Sequence, residues 1–191
     1  MQGKLILVVG TPGSGKGALI AHLRQAIPDI VFPRSCVTRP MRPTEKDGEV
    51  YFFVSNEEFD RLIAQGELLE WVVNDLGNRY GTLRSEIVPA LEEGKLVLRE
   101  VEVRGARAIK EMLPKGSVVT IYIDGGSWEN LRQRILLRAP LTEEELQSRR
   151  ERYERERVFK DEADYVIANP DGKVEEAKEE LLRVVESLRI K

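Results

Sequence analysis

Lys4-Leu5-Ile6-Leu7-Val8-Val9-Gly10-Thr11-Pro12-Gly13-Ser14-Gly15-Lys16 decides the fold: an apolar run turns through glycines and reaches a lysine. Small residues let successive backbone N–H groups point into one concavity, and a helix N-terminus behind them adds partial positive charge. A lysine closing such a turn can reach the β- and γ-phosphates of a nucleotide. The match to G-x-x-x-x-G-K is complete, with a predicted strand before it and a predicted helix after it. A glycine-rich turn without a ligand is the bland alternative, and the flanking elements weigh against it. The candidate ATP-binding residues are Gly10, Thr11, Pro12, Gly13, Ser14, Gly15, Lys16, Gly17 and Ala18.

The two residues after Lys16 depart from the commonest pattern. A Ser or Thr there would bind Mg²⁺ through its hydroxyl, whereas Gly17 and Ala18 carry none. The Gly-x-Pro-Gly-x-Gly-Lys-Gly form resembles the loop of adenylate kinases, which implies a metal held largely through water. Magnesium keeps several waters readily. The cofactor expected is therefore Mg²⁺, bound mainly through nucleotide phosphates and water, with no dedicated metal-ligand set in the chain.

The 191 residues suffice for one domain with inserted parts. A 41% hydrophobic content supports a real core. The net charge of −3 argues against a general nucleic-acid or anionic-membrane binder. Cys36 is the only cysteine, so an intramolecular disulfide is impossible and a reducing compartment fits. No signal-peptide layout precedes the first strand, and no apolar run approaches the roughly 20 residues of a membrane span. The expectation is a soluble, cytoplasmic protein, with oligomeric state left open and a monomer favoured.

Leu19, Ile20, Leu23 and Ile27 recur at helical spacing after the glycine turn and predict a helix over Lys16–Ala26. His22, beside that stripe, reads as structural. From about Arg34 to Thr82 the texture changes to short β-rich runs, Val50–Val54 and Leu68–Val73, around one helix opened by Ser55-Asn56-Glu57-Glu58 and stopped by Gly66. Asn74–Asn78 reads as a turn. Strand and helix then alternate again: a helix over Ser85–Glu93, a strand over Leu96–Val103, a helix from Gly105 to Leu113, a strand over Ser117–Ile123 and a helix capped by Ser127. A charged helix opened by Thr142-Glu143-Glu144-Glu145 follows and runs to about Val158, then a strand at Tyr165–Ala168 and a last helix. The alternation predicts a parallel sheet covered on both faces.

The stretch after the glycine turn narrows the chemistry. Ser35-Cys36-Val37-Thr38-Arg39-Pro40-Met41-Arg42-Pro43 sets two arginines three apart in a proline-stiffened loop. Asp47-Gly48-Glu49-Val50-Tyr51-Phe52-Phe53, Glu67-Leu68-Leu69-Glu70-Trp71 and Tyr80-Gly81-Thr82 follow. Two guanidinium forks and two phenols converging on one phosphate would make a monophosphate site. A carboxylate such as Glu70 can accept from the N1–H and 2-amino group of guanine, a donor pair that adenine lacks. The hydroxyls of Ser35 and Thr82 could read the O6 side.

These motifs closely resemble guanylate kinases from Leu5 to about Asp171. The Thr-Arg-Pro-x-Arg-Pro loop, the Asp-Gly-x-x-Tyr-Phe-Phe strand and the Tyr-Gly-Thr turn carry the resemblance. It implies a P-loop three-layer α/β/α fold with a parallel core sheet (1–33, 83–137, 160–191), a small β-rich NMP-binding subdomain (34–82) and a helical lid (138–159). It further implies that Ser35, Glu70, Thr82 and Glu102 contact guanine, and that Arg39, Arg42, Tyr51 and Tyr80 hold the GMP phosphate. Arg138 and Arg150 match lid arginines. With Lys16 and Arg39 they form the implied catalytic set, for transfer of phosphate from ATP to GMP and by extension dGMP.

Several residues depart from that pattern. Glu102 stands where Asp is usual, Arg104 where Gln is usual, and Arg99 interrupts an otherwise apolar strand. Two other readings remain open from sequence: a non-catalytic module binding phosphopeptides through the old acceptor site, and a kinase with another acceptor, such as a phosphorylated sugar. Retention of Lys16 disfavours the first, and Glu70 with Thr82 disfavours the second.

Overall fold

The computed structural model describes residues 3–43, 45–74, 77–138 and 141–189, with the side chain of Arg138 outside that set. The opening apolar run is the strand β1 (Lys4–Val9), central in a sheet that also holds β6 (Leu96–Glu100), β7 (Val118–Asp124) and β8 (Tyr165–Ala168). Their order is β6-β1-β7-β8 and every pairing is parallel. A parallel sheet is covered on both faces, which is why β1 is continuously apolar rather than alternating. Leu5, Leu7 and Val9 pack with Ile87 and Leu91 of α3 (Arg84–Glu92) and Ala106 and Ile109 of α4 (Val103–Met112). Ile6 and Val8 pack on the other side with Leu19 and Leu23 of α1 (Lys16–Ala26) and Leu181 and Val185 of α7 (Val174–Ser187). The chain leaves β1 with β6 on one flank and β7 on the other, so the carboxyl end of β1 is a topological switch point where ligands bind in such sheets.

A second sheet has the order β3-β2-β5-β4, from β2 (Ser35–Val37), β3 (Tyr51–Phe53), β4 (Leu68–Val73) and β5 (Arg79–Leu83). The helix α2 (Asn56–Ala64) covers one face, its first turn capped by the Ser55 hydroxyl accepting from the Glu58 N–H at 3.1 Å. Phe59 of α2 is fully buried against Cys36, Leu68 and Leu83. Two of these strands have no clear sequence signal. β2 has three residues, too few for an alternation to register, and β5 contains Gly81.

The strand expected over Leu96–Val103 ends at Glu100, and α4 begins at Val103, two residues before Gly105. Glu102 is the extended N-cap residue (φ −77°, ψ 161°), so the apolar Val101 and Val103 flank a turn rather than prolong a strand. The helices α5 (Trp128–Arg138) and α6 (Glu143–Arg157) follow, α6 opening with a capping box between Thr142 and Glu145. α6 passes into a 3-10 turn at Val158–Asp161 that buries Phe159. Asp75 and Leu76 of the expected turn lie outside the described residues. Among the described residues no helix is long and apolar enough to cross a membrane.

Candidate active site

Gly10–Gly15 turns away from the end of β1, and Lys16 is the first residue of α1. Gly15 has φ +91°, and a Cβ there would meet the Asn169 amide nitrogen at 2.3 Å. Asn169 donates from Nδ2 to the Ser14 carbonyl at 2.8 Å, bracing the loop from the segment after β8. The Lys16 ammonium donates to the carbonyls of Gly10 (2.6 Å) and Thr11 (3.2 Å) and lies 3.7 Å from the Glu100 carboxylate at the end of β6. Burial lowers its pKa, with Glu100 opposing that shift. Thr11 and Ser14 are buried, and the Ser14 hydroxyl is a buried polar atom with no hydrogen-bond partner among the described residues. A cavity of about 360 Å³ opens beside the loop, lined by Gly13, Gly15, Ala18, Arg134, Asn169 and Pro170 among others.

The second sheet brings four of the expected acceptor residues into one row. Its register pairs Tyr51 with Ser35, Ser35 with Thr82, and Thr82 with Glu70, so Tyr51–Ser35–Thr82–Glu70 crosses all four strands side by side. Side chains alternate between faces along a strand. Phe53, Val37, Tyr80 and Val72 therefore form the next row on the same face. Phe52, Cys36 and Gly81 fall on the other face, towards α2. Gly81 is tightly constrained there, since a Cβ would sit 2.8 Å from the Cys36 sulfur and 3.0 Å from Leu68 Cδ1. Burial pushes the Cys36 thiol pKa up to about 11, so it is an inert core group.

Within the row the Thr82 hydroxyl donates to Glu70 Oε1. Glu70 lies against the first turn of α4, where a Cβ on Gly105 would approach its Oε2 to 3.1 Å. Arg39 stands over both aromatic rows, with its guanidinium carbon 5.3 Å from the Tyr51 and the Phe53 ring centres. Tyr51 and Tyr80 meet edge to face at 6.2 Å. Glu45 grips Arg39 through two hydrogen bonds of 2.7 and 2.6 Å and also accepts from the Arg42 backbone N–H at 2.9 Å. These contacts raise the Arg39 pKa and hold the Glu45 carboxyl at about 2. The Arg42 residue is exposed at the loop rim.

The arrangement joins a glycine-rich loop and its lysine, at the end of a parallel strand, to a polar row on a second sheet. The sequence profile of the guanylate kinase family matches residues 2–188. This chain belongs to the guanylate kinase family. A guanylate kinase of Thermotoga maritima is 38% identical over 191 residues, covering 100% of this chain and 90% of that one. One from a Nostoc species is 42% identical over 171 residues, covering 90% and 84%. The crystal structure of guanylate kinase from Anaplasma phagocytophilum superposes with a TM-score of 0.71 at 28% identity, covering 99% of this chain and 87% of that one. The expected α/β class with a parallel central sheet is thereby borne out.

The two lid arginines expected from guanylate kinases fare differently in the geometry. The Arg138 side chain lies outside the described residues. Arg150 is exposed, and its charge has a minor effect on Glu129 of α5. The inner face of α6 instead carries Arg152 and Glu156, which both act on Lys16. Arg152 bonds Glu156 Oε1 at 2.8 Å and reaches Glu102 Oε1 at 3.0 Å, and burial pushes the Glu156 carboxyl pKa up. Glu102, expected at the base, thus pairs across to α6.

Sequence reasoning also missed Arg134, which bonds Asp171 at 2.6 Å and the Asn169 carbonyl at 3.0 Å beside the loop cavity. One arginine in an arginine-rich helix carries no distinguishing spacing. Asn169 could have been suspected from its place directly after a parallel strand.

The residues fit a magnesium ion that arrives with the nucleotide. Gly17 and Ala18 are exposed and offer no ligand, and a Cβ at Gly17 would touch nothing within 4 Å. Glu100 is a half-exposed carboxylate beside Lys16 at the end of β6, a hard oxygen donor of the kind magnesium takes singly. Among the described residues no three His, Cys, Asp or Glu side chains gather into a metal cluster.

Proposed function

We propose that this guanylate kinase family member transfers the γ-phosphoryl group of ATP to GMP, giving ADP and GDP, with dGMP as a further acceptor. The Tyr51–Ser35–Thr82–Glu70 row carries the reading. Its carboxylate end complements the N1–H and 2-amino donors of guanine, and its hydroxyls complement O6. The phosphate of the acceptor sits with Arg39, Arg42, Tyr51 and Tyr80. Residues 34–82 then act as the acceptor subdomain and 138–159 as the lid.

Phosphoryl transfer requires alignment and charge compensation rather than a protein nucleophile. The acceptor phosphate is largely a dianion at neutral pH, with a second pKa of about 6. One of its oxygens attacks the γ-phosphorus in line, the bond to the β–γ bridging oxygen breaks, and ADP leaves. No general base is needed. Lys16 exchanges its loop carbonyls for phosphate oxygens, and the backbone N–H groups of the loop hold the β-phosphate. Arg152, facing Lys16 from α6, supplies a further cation, and Arg138 and Arg150 belong to the same closing segment. Glu100, together with the phosphates and water, would hold a magnesium ion, which would supply charge compensation to the transferring group. The single, buried cysteine supports a cytoplasmic location.

Coupled ADP release with ATP and Mg²⁺ against GMP, dGMP, AMP, CMP and UMP tests the proposal. Turnover confined to GMP and dGMP is expected. Turnover with another base would rewrite the acceptor site, and none with any acceptor would leave a binding module.

A further inference from the structure

Arg99 is a charged residue in an otherwise apolar strand. It follows Leu96, Val97 and Leu98 of β6 in the core sheet, yet its side chain crosses to the second sheet. Its Nη1 donates to the Ser35 hydroxyl oxygen at 2.8 Å, and its Nη2 lies 3.7 Å from Glu70 Oε1. The Arg99 and Glu70 side chains are 11% and 9% exposed. Arg99 Nε is buried and has no hydrogen-bond partner among the described residues. Burial depresses the guanidinium pKa, and Glu70 is the leading group that opposes this.

These contacts dictate which way each hydrogen bond runs. A guanidinium only donates, so the Ser35 oxygen must accept from it, and the Ser35 proton is left to point at another acceptor. An ionised carboxylate only accepts, so the Thr82 hydroxyl donates to Glu70. The row therefore offers one hydroxyl donor beside a carboxylate acceptor. Guanine presents O6 as acceptor beside N1–H and the 2-amino group as donors. Adenine presents a 6-amino donor beside an unprotonated N1, the opposite polarity.

We propose that Arg99 is a specificity-determining positioning residue, which fixes Ser35 as donor and orients Glu70 as acceptor and so selects a 6-oxo, 2-amino purine monophosphate. The inference rests on the base-reading role proposed for Ser35 and Glu70. It locates part of the selectivity in a core-sheet residue behind the row.

The test compares kcat/KM for GMP, AMP and the ribonucleoside monophosphate of 2-aminopurine, which keeps the 2-amino group and lacks the 6-oxo group. The variants are Arg99→Leu, Arg99→Lys and Glu70→Gln. In Arg99→Leu, KM for GMP should rise on the order of 10- to 100-fold, the range for losing a charged hydrogen-bond partner. The preference for GMP over the 2-aminopurine nucleotide should shrink by a similar factor, while KM for ATP stays unchanged. Arg99→Lys, whose single ammonium cannot serve both Ser35 and Glu70 as a fork, should recover part of the preference. If Arg99→Leu does not fold, a reduced preference in Arg99→Lys supports the same role and an unaltered one overturns it. An unchanged GMP to 2-aminopurine ratio in the folded Arg99 variants, with the GMP to AMP ratio altered in Glu70→Gln, would overturn the role of Arg99 alone. No GMP turnover by the unaltered protein would overturn the activity itself and this inference with it.

Discussion

Replacing Glu70 by Gln changes one oxygen for an NH₂ group and leaves the shape of the row intact. Two consequences can be separated. Towards the acceptor, one of the two positions that met N1–H and the 2-amino group becomes a donor. An unsatisfied buried donor costs about 1–3 kcal/mol, or roughly 5- to 150-fold in kcat/KM for GMP. AMP, which offers no such donor pair, should lose little. Towards the protein, Arg99 loses its carboxylate at 3.7 Å while keeping Ser35 at 2.8 Å. Breaking a fully buried ion pair costs about 3–5 kcal/mol. The longer contact and the retained hydrogen bond reduce this to about 1–3 kcal/mol, a fall in Tm of roughly 2–12 °C for a chain of this size. Coupled ADP release with each nucleotide and thermal unfolding without nucleotide read the two effects independently. An equal loss for GMP and AMP would refute the base-reading role, and an unchanged Tm would refute the pairing with Arg99.

Lys16→Ala should abolish most turnover while calorimetry finds GMP binding nearly intact; turnover at the unaltered rate would contradict the loop assignment. Gly17→Ser, for which the structure has open space, should lower the free Mg²⁺ needed for half-maximal rate, and an unaltered Mg²⁺ dependence would remove the metal argument. Gly81→Ala drives a methyl towards Cys36 and Leu68 and should cost about 1–3 kcal/mol by overpacking, read as a lowered Tm. Because Glu45 titrates lower in the folded chain than its ordinary 4.5, its pairing with Arg39 stabilises the protein above about pH 4.5. That contribution fades as pH falls through about 2. Carbon-13 titration of the Glu45 carboxyl should find a midpoint of about 2, and a midpoint of 4.5 would mean the pair does not form in solution.

The core sheet was legible because its signals are long and local: a strand with five consecutive apolar residues, a full G-x-x-x-x-G-K turn and helices with caps. The second sheet was legible as motifs more than as strands. Ser35, Tyr80 and Thr82 could be singled out by residue type, yet the register that aligns them with Tyr51 and Glu70 joins four separated segments and leaves no periodicity. The end of β6 misled for a different reason. Val101 and Val103 continue an apolar alternation, but Glu102 adopts a helix N-cap conformation, and its carboxylate pairs with Arg152 of α6. Arg150 and Arg152 could not be ranked from sequence, since α6 has only Leu146 and Tyr153 to mark an apolar face.

Arg99 and Glu100 are consecutive, and the alternation of β6 sends them to opposite faces, one to the acceptor row and the other to the P-loop lysine. A single peptide unit therefore acts as a rigid ruler between the two halves of the reaction. Its length cannot drift as other parts of the molecule move. A one-residue deletion just before it would set the carboxylate against Glu70, and a one-residue insertion would set the guanidinium against the Lys16 ammonium. Both halves would fail together from one local error, so length changes at this strand end should be tolerated far less than in the loops around it.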